Sequence, residues 1–366
     1  MKILEIDKND LKKNLNIIQN ILKETDSKTQ LIAVVKANGM GLGLTEYSKF
    51  LVENGVSVLA VANTDEAILL RDSGIKEEIL MLSPCINEKE LQLLINNDIT
   101  LTIGCLEEYN LIQECVEKCN KSEANVHIKI DTGFGRYGFL YDDISILKIF
   151  ENQNKIKIKG TYTHFSKPND KKWTSIQFNR FINTINNIKD NGFYPGIAHC
   201  CASTAFLKYP NMRLDAVRIG SALQGRTLTN EKELIKIGKF KKEVTEIKLL
   251  PKGYNISYGN TYKTKKETKI AIIPVGYVDG LNRNRLRDDF SLKNNLISVA
   301  MEIKKIFKDN KLKVKIDNNY YNIIGRLGMY HSIIDITGSN NIKIGDKVQL
   351  DITPLQTNDI IRREYI

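Results

Sequence analysis

Several features that would identify a protein class at once are missing from this chain of 366 residues. It contains no apolar run of 18 residues, the length that a membrane-spanning helix needs, and the acids at positions 5 and 7 interrupt any signal peptide at its start. We therefore expect a cytoplasmic protein with no membrane partner. Its six cysteines have neither zinc-finger spacing nor the density of a disulfide framework, so we expect reduced thiols and no metal site.

Signals for nucleic-acid and nucleotide binding are missing as well. The net charge of +11, from 54 Lys and Arg against 43 Asp and Glu, would permit a nucleic-acid partner. The basic residues are scattered, however, and no aromatic stripe is interleaved with them, so we predict no such partner. The glycine-rich segment 39–43 has no Gly-Lys-Ser/Thr ending and no G-x-G-x-x-G spacing, which excludes a Walker loop and a dinucleotide loop.

The first two thirds of the chain alternate between amphipathic segments and apolar runs. Apolar residues three and four positions apart predict helices at 9–22, 44–53, 64–71, 87–96, 107–120, 142–151 and 173–191. Short apolar runs predict strands at 31–35, 56–62, 79–83, 99–103, 126–130, 156–163, 197–200 and 214–219. Eight strands separated mostly by helices fit a closed (β/α)8 TIM-like barrel better than an open doubly wound sheet, which usually carries fewer strands.

The pattern changes near Lys239, where short runs typical of β-hairpins take over. These runs lie at 244–250, 268–275, 313–316 and 321–324. We therefore predict an α/β barrel domain at residues 1–236 and a C-terminal β-rich domain at residues 237–366. Residues 1–8 are candidates for pairing with the second domain, and residues 361–365 are predicted to form a short final helix.

Lys36 stands at the carboxyl end of the first predicted barrel strand and is followed by glycines at positions 39, 41 and 43. A lysine that ends a buried strand is desolvated, which favours the neutral, nucleophilic amine that Schiff-base chemistry requires. Taken alone, the stretch fits better with a lysine that extends into water beside a tight glycine turn. The active site of a barrel lies at the carboxyl ends of its strands. Other residues at such ends are Asp131, Arg136, His164, His199, Ser203, Arg218 and Gly220.

Taken together, these segments resemble the alanine racemase family, the fold-type III enzymes that use pyridoxal phosphate. The motifs that carry the resemblance occur in the same order over nearly the whole chain. They are Val34-Val-Lys-Ala-Asn, Lys129-Ile-Asp-Thr-Gly-Phe-Gly-Arg136, Tyr162-Thr-His164-Phe, Leu214-Asp-Ala-Val-Arg218, Ser257-Tyr258-Gly, Pro274-Val-Gly-Tyr-Val-Asp-Gly280 and Gly325-Arg-Leu-Gly-Met329. The resemblance implies an isomerase that interconverts L- and D-alanine with pyridoxal 5'-phosphate as its cofactor.

The resemblance also implies which residues move the α-proton. Racemisation requires removal of that proton on one face of the substrate and its return on the other, so two bases are needed. Lys36 matches the lysine that holds the cofactor and serves as one base. Tyr258 of the other subunit of a homodimer matches the second base, so that each active site is composite. His164 matches the group that stabilises the Tyr258 phenolate, because an unperturbed tyrosine is a poor base near neutral pH.

Further cofactor contacts follow from the same resemblance. Arg218 matches the partner of the pyridine nitrogen, supported by His199. An arginine is always cationic and can only donate a hydrogen bond, so the ring nitrogen accepts and stays unprotonated, which favours racemisation over side reactions. Ser203, with the backbone N–H groups of Gly220 and Ser221, matches the phosphate site at the start of a short helix.

The resemblance assigns three more residues to the substrate. Arg136 matches the arginine that binds the substrate carboxylate, and Met329 lies in a loop that the family places over the barrel mouth. Lys129 matches a position that is carbamylated in many members, which would turn a cation into an anion able to orient Arg136.

The structural alternative for Arg218, an ion pair with Asp215 at the strand end, does not explain why an apolar strand ends in arginine.

Five positions depart from the family's pattern. Met40 replaces a phosphate-binding tyrosine, Leu42 a common histidine, Ala202 a common asparagine, Tyr330 an aspartate, and Asn358 a tyrosine beside the substrate side chain. A shorter amide at position 358 leaves room for a hydroxymethyl group and can hydrogen-bond it, so we predict that serine is accepted besides alanine. The alternative is that Asn358 only caps the final helix.

Other functions within the same fold type remain open at the level of sequence. A racemase of serine or of broader specificity would share the same motifs. A non-catalytic pyridoxal-phosphate carrier would end near Gly225, whereas this chain continues into a domain that contains Tyr258. A decarboxylase of this type would be expected to carry a Cys-Glu/Asp segment near its end, and none is found.

Overall fold

The computed structural model describes residues 1–25, 28–152, 155–227, 233–283, 292–307 and 312–366. The chain forms two compact units, one of Lys8–Ile237 and one of Met1–Asp7 with Gly238–Ile366. None of the helices in these described ranges is long and apolar enough to cross a membrane.

A barrel of parallel strands forms the first unit. Strand β1 (Ile3–Ile6) precedes this unit and belongs to the other. The strands that follow are β2 (Gln30–Val34), β3 (Val58–Val61), β4 (Glu78–Met81), β5 (Leu101–Ile103), β6 (Ala124–Asp131), β7 (Phe139–Leu140), β8 (Ile156–Tyr162), β9 (Ile197–Ala202) and β10 (Ala216–Ile219). Strands β2, β3 and β4 are nearly continuous apolar runs, because a parallel sheet is buried on both faces, whereas β6 and β8 include polar residues among the apolar ones.

Eight of these strands close the barrel. They are hydrogen-bonded in the order β4-β3-β2-β10-β9-β8-β6-β5, and β7 pairs with β6 beside this path. The ring closes between β4 and β5, where the Met81 N–H donates to the Thr100 carbonyl and the Thr100 N–H donates to the Ile79 carbonyl, each at 2.9 Å. The prediction of a (β/α)8 barrel is therefore confirmed.

The helices of this unit lie close to their predicted positions. They span Lys8–Thr25, Leu44–Glu53, Thr64–Asp72, Glu88–Asn96, Leu106–Lys118, Leu147–Glu151, Lys171–Asp190 and Ser203–Lys208. Several begin at side-chain caps, such as Asn63, whose amide oxygen accepts from the Glu66 N–H, and Asp170, whose carboxylate accepts from the Trp173 N–H. Their apolar faces are buried, as Leu91, Leu94 and Ile95 show in Glu88–Asn96.

The second unit is rich in β-structure, as predicted. Its strands are β1 with β11 (Lys239–Glu243), β12 (Glu246–Leu250), β13 (Asn255–Ile256), β14 (Tyr262–Lys263), β15 (Thr268–Ile273), β16 (Lys313–Ile316), β17 (Asn319–Asn322), β18 (Ser332–Asp335), β19 (Lys347–Leu350) and β20 (Arg362–Tyr365). The largest sheet has the order β17-β16-β19-β11-β1-β20, and β12-β15-β18 and β13-β14 form two smaller sheets. This unit also contains a helix at Leu292–Phe307.

The end of the chain differs from its prediction. Residues 361–365 were expected to form a short helix, but Arg362–Tyr365 is the strand β20, which pairs in parallel with β1. β1 also pairs antiparallel with β11, so it lies between two strands of its sheet. The helix prediction is wrong because hydrogen bonding to β1, a partner more than 350 residues away in sequence, decides the conformation of a segment with weak local preference.

Candidate functional site

The segment after β2 has an unusual backbone conformation. Lys36 is followed by four consecutive residues, 37–40, whose φ angles lie between 55° and 65°. A left-handed conformation costs about 1–2 kcal/mol for each residue other than glycine, so surrounding contacts must hold this turn. Of the four, only position 39 is a glycine.

Two buried or half-buried side chains hold the turn. The Asn38 N–H donates to Glu66 Oε1 at 2.9 Å, and the Gln224 side-chain amide donates to the Met40 carbonyl at 2.9 Å. Asn38 Oδ1 in turn accepts from the N–H of Leu44, the first residue of the next helix, at 2.9 Å. The turn therefore fixes the point from which the Lys36 side chain leaves the barrel strand.

The Lys36 amine lies in a positive, partly desolvated environment. Burial lowers its pKa from the ordinary lysine value, and the charges of Arg136 and Arg218 lower it further, while the carboxylate of Glu66 acts in the opposite direction. A lysine whose neutral form is favoured is a better nucleophile near neutral pH.

Arg218, on β10, is a buried cation that contacts no described carboxylate within salt-bridge distance; its side chain is only 3% exposed. It donates to His199 Nδ1 at 2.6 Å, to the Thr163 carbonyl at 2.6 Å and to His164 Nδ1 at 3.3 Å. The alternative partner, Asp215, instead accepts from the Ala198 N–H at 2.7 Å. A buried cation without an anion is costly unless something else compensates it, so Arg218 is suited to a polar or anionic ligand.

The contacts of Arg218 fix the tautomers of His164 and His199. A guanidinium can only donate, so both histidines must accept at Nδ1 and carry their proton on Nε2 when neutral. Burial lowers the pKa of each histidine well below its ordinary value, and the positive charge of Arg218 adds to that shift. His164 therefore keeps an Nε2–H with which it can donate to another group.

A carboxylate at the end of β6 organises the loop that carries Arg136. The two oxygens of Asp131 accept four backbone N–H groups, those of residues 133–136, at 2.7–3.0 Å. Burial would raise the pKa of Asp131, but these four hydrogen bonds hold it below its usual value. The loop is therefore fixed by an ionised aspartate at any pH near neutral.

Lys129 lies on the same strand, 6% exposed, with its amine 4.6 Å from the centre of the Tyr162 ring. Burial, followed by the charges of Arg218 and Arg136, lowers its pKa to about 7. An unfolded lysine remains protonated up to a pH of about 10.4. Between these values the unfolded chain binds a proton that the folded chain does not.

We therefore expect Lys129 to make the protein less stable at low pH. The free energy of unfolding should rise as the pH increases from about 7 to about 10, by up to about 4 kcal/mol from this residue, because folding must release the proton of the unfolded amine, and this release costs less at higher pH. Urea denaturation in bicarbonate-free buffer at several pH values measures this rise. Lys129→Met should flatten it, whereas the exposed control Lys159→Met should not; equal slopes in both variants would contradict the assignment.

The predicted phosphate residues come together at the ends of β9 and β10. Ser203 opens the helix Ser203–Lys208, and its Oγ accepts from the Gly220 N–H at 3.3 Å and the Ala222 N–H at 3.1 Å. Ser221 lies between these two donors, and Ala222 is a contact that the sequence did not reveal. A Cβ on Gly220 would lie 3.5 Å from the Met40 methyl group. Met40 therefore borders the predicted phosphate residues, but it has no hydroxyl to donate to a phosphate.

Tyr258, Met329 and Asn358 lie in the second unit. Tyr258 follows Ser257, whose φ is 64°, and its side chain is 71% exposed in the single chain. Asn358 Oδ1 accepts from the Ile360 N–H at 3.1 Å, which closes a local turn before β20 and not a helix. The expectation that Asn358 caps a final helix is therefore wrong.

Met329 is held by backbone contacts with the other motif of this unit. The Gly328 and Met329 carbonyls accept from the N–H groups of Tyr277 and Val278, both at 3.2 Å. Asp279 steadies that motif by accepting from the Gly276 N–H at 2.9 Å. Its carboxylate also pairs with Lys2 at 2.7 Å.

Two buried residues of the barrel were not recognised from the sequence. Gln224 holds the turn after Lys36, and His127 contacts His199. His127 alternates with apolar residues in a strand, which is also how an ordinary core histidine occurs, so its position carries no functional signal by itself. Gln224 lies beyond the predicted strands, in a segment with no periodic pattern.

Comparison with known proteins gives a consistent picture. The family models "Alanine racemase, N-terminal domain" and "Alanine racemase, C-terminal domain" match residues 6–227 and 237–360. An alanine racemase from Methanococcus maripaludis is 38% identical over 354 residues, which cover 94% of this chain and 87% of that protein. One from Clostridium perfringens is 36% identical over 356 residues, covering 94% and 84%.

A solved structure supports the same relationship. The alanine racemase of Clostridium difficile 630 matches with a TM-score of 0.87 and 29% identity, covering 100% of this chain and 95% of that one. The motifs described above thus fall within matched regions. The chain belongs to the alanine racemase family.

Proposed function

We propose that this chain interconverts L- and D-alanine with pyridoxal 5'-phosphate, the cofactor on which its family depends. The observation that carries the proposal is Arg218, a buried cation without a described counter-ion, on the strand next to the one that ends at Lys36. Relatives that are 38% and 36% identical to the chain over the aligned residues are named alanine racemases. A single-barrel carrier would not account for the match at residues 237–360.

The residues present fit the cofactor. Ser203 Oγ accepts from the N–H groups of Gly220 and Ala222 in this structure; these donors would turn to the phosphate when the cofactor binds, together with the N–H of Ser221. Arg218 offers a donor to a ring nitrogen, and Lys36 offers an amine whose pKa is lowered. When bound, pyridoxal phosphate supplies the electron sink that makes the α-proton of an amino acid acidic.

The chain itself must then move one proton between two faces of the substrate. Lys36 is the proposed base on one face, because its environment favours the neutral amine. Tyr258 of a second subunit is the proposed base on the other, and its exposure in the single chain supports a place against a partner. His164 keeps a free Nε2–H on the tautomer that Arg218 imposes, and donation of this hydrogen would stabilise a Tyr258 phenolate.

Arg136 and Met329 are proposed to bind the substrate carboxylate, with Lys129 as support for Arg136. A carbamate on Lys129 would place an anion beside two arginines. Carbon dioxide adds only to a neutral amine, and a pKa of about 7 leaves Lys129 largely neutral at slightly alkaline pH. Among its electrostatic neighbours, Arg218 and Arg136 would each gain from the reversal of charge.

Carbamylation is expected to be visible by NMR. Wild-type protein in buffer with ¹³C-bicarbonate should show a carbamate carbon signal, which should be missing from Lys129→Met and retained in the exposed control Lys159→Met. Removal of bicarbonate should weaken the signal and raise KM for alanine, because Arg136 loses an anionic neighbour. A signal of equal intensity in Lys129→Met would contradict this assignment.

Proton exchange tests the proposed activity directly. The purified protein, loaded with pyridoxal phosphate, is incubated with each L-amino acid in deuterated water, and loss of the α-proton and formation of the D enantiomer are followed. We expect alanine to be the best substrate. Exchange without formation of D-alanine, or no exchange with any amino acid, would overturn the proposal.

Serine is the proposed second substrate, because Asn358 is shorter than the tyrosine it replaces. One gained hydrogen bond is worth about 0.5–1.5 kcal/mol, so Asn358→Tyr should shift the serine-to-alanine ratio of kcat/KM roughly tenfold toward alanine. Asn358→Ala, which leaves the space but removes the amide, is the matched control and should lose most of the serine activity. An unchanged ratio in Asn358→Tyr would show that this residue acts only in its local turn.

A further inference from the structure

His127, on β6, lies inside the barrel behind His199 and takes no part in the function proposed above. Its Nδ1 is 2.8 Å from His199 Nε2, and neither side chain is more than 1% exposed. On the other side of His199, Nδ1 is 2.6 Å from the Arg218 guanidinium. The three side chains thus form an unbroken hydrogen-bonded row across β6, β9 and β10.

The direction of each hydrogen bond in this row follows from Arg218, which can only donate. His199 must accept at Nδ1, so neutral His199 carries its proton on Nε2 and donates it to His127 Nδ1. Neutral His127 then carries its own proton on Nε2, 3.9 Å from the Glu78 carboxylate at the amino end of β4. If His199 were also protonated on Nδ1, that N–H would face the Arg218 N–H. If His127 were also protonated on Nδ1, that N–H would face the His199 Nε2–H.

The surrounding packing holds both rings in place. Gly160, paired with His127 in the neighbouring strand, leaves the space for it, because a Cβ there would lie 2.7 Å from His127 Cε1. The Tyr162 ring stacks on His199 with centroids 4.9 Å apart and planes 11° from parallel. Neither ring can therefore turn to exchange its two nitrogens without displacing backbone or a stacked aromatic ring.

The charges around the row favour neutral histidines. Arg218 and Lys129 face it from the carboxyl end of the barrel, and Lys159 and Glu78 face it from the amino end, where they lie 3.7 Å apart. Burial, with Arg218 and Lys159, lowers the pKa of His127 to about 3. Among the described residues, Glu78 is the carboxylate that comes within 4.0 Å of the row, at 3.9 Å from His127 Nε2, and Lys159 pairs with it.

We propose that His127 is a positioning residue that stabilises the His199 tautomer selected by Arg218, because His127 Nδ1 accepts the Nε2–H that this tautomer carries. Without an acceptor at His127 Nδ1, the His199 tautomer that accepts from Arg218 would bury an unpaired Nε2–H. This cost favours the other tautomer, whose Nδ1–H would oppose the Arg218 N–H across 2.6 Å. Arg218 would then lose one of the contacts that hold it. Only the assignment of Arg218 to the cofactor ring rests on the function proposed above; the row itself does not.

Nitrogen NMR on cofactor-free protein labelled with [¹⁵N]histidine tests the row. The chain has four histidines, so each imidazole can be assigned, and exposed His331 serves as the reference. In the wild type we expect His199 and His127 to show protonated Nε2 and unprotonated Nδ1, unchanged from about pH 5.5 to about pH 8.5. A protonated Nδ1 on either residue, or a titration of either within this range, would overturn the proposal.

Two substitutions separate the tautomer from mere packing. His127→Asn places an amide oxygen near the position of Nδ1 and should keep the His199 tautomer fixed. His127→Leu fills the space without an acceptor, so His199 should show mixed or pH-dependent tautomers, and the Kd for pyridoxal phosphate should rise roughly tenfold. An unchanged His199 spectrum in His127→Leu would refute the positioning role. If His127→Leu does not fold, the spectra of the wild type and of His127→Asn still test the proposed tautomers. These spectra do not depend on racemisation, so a failure of the proposed activity would leave them unaffected.

Discussion

Lys36→Ala should lower kcat/KM for L-alanine racemisation by at least about 10⁴-fold, since it removes both the amine that holds the cofactor and one of the two proposed bases. The rate of D-alanine formation measures the loss. The visible absorbance of the purified protein should also disappear, because the cofactor no longer has an amine to bond. Added methylamine should restore part of both signals.

The control for this substitution is Lys172→Ala, which removes an exposed lysine from the helix Lys171–Asp190 and should leave the rate unchanged. Cofactor absorbance that persists in Lys36→Ala without an added amine would show that another group holds the cofactor. Racemisation at more than about one hundredth of the wild-type rate would show that Lys36 is not a required base.

Subunit mixing should restore activity from two inactive variants. Tyr258→Ala is expected to be slower than wild type by about 10²–10⁴-fold, because it removes the second base. Co-expression of Lys36→Ala and Tyr258→Ala chains with different tags allows the heterodimer to be isolated by two affinity steps. If the bases of each site come from different subunits, one site per heterodimer is intact, and about half of the wild-type activity should return.

Tyr254→Ala paired with Lys36→Ala is the matched control, since Tyr254 is an exposed tyrosine of the same unit. That heterodimer should also have one intact site and so the same half activity, whereas Tyr258→Ala paired with itself should stay inactive. A Lys36→Ala and Tyr258→Ala heterodimer no more active than either parent would place both bases in one chain. A fully active monomer would contradict the composite site altogether.

The barrel could be predicted closely because its signals are local. Apolar spacing placed one helix at 173–191 and another at 107–120, and the structure has them at Lys171–Asp190 and Leu106–Lys118. The same reasoning failed for residues 361–365, because their conformation is set by pairing with β1 at the other end of the chain. Local pattern cannot report a partner so distant in sequence.

The sequence proposed candidate residues for the site but not the contacts among them. Strand ends pointed to Lys36 and Arg218, and the family motifs assigned their roles. The left-handed conformation of residues 37–40 could not be predicted, because the glycines at positions 39, 41 and 43 were its only sequence signal and just one of them lies within this segment. The tautomers of His164 and His199 depend on which nitrogen faces Arg218, a matter of side-chain geometry that no spacing encodes.

The central proposal is that Lys36 and Tyr258 act on opposite faces of one substrate, and α-proton exchange by Tyr258→Phe tests it most directly. The variant, loaded with pyridoxal phosphate in deuterated water, is given L-alanine and D-alanine separately, and exchange and inversion are followed for each. We predict that one enantiomer exchanges its α-proton readily, that the other does so at least about 10²-fold more slowly, and that almost no inversion occurs. Exchange and inversion of both enantiomers at the wild-type rate would contradict the two-base mechanism.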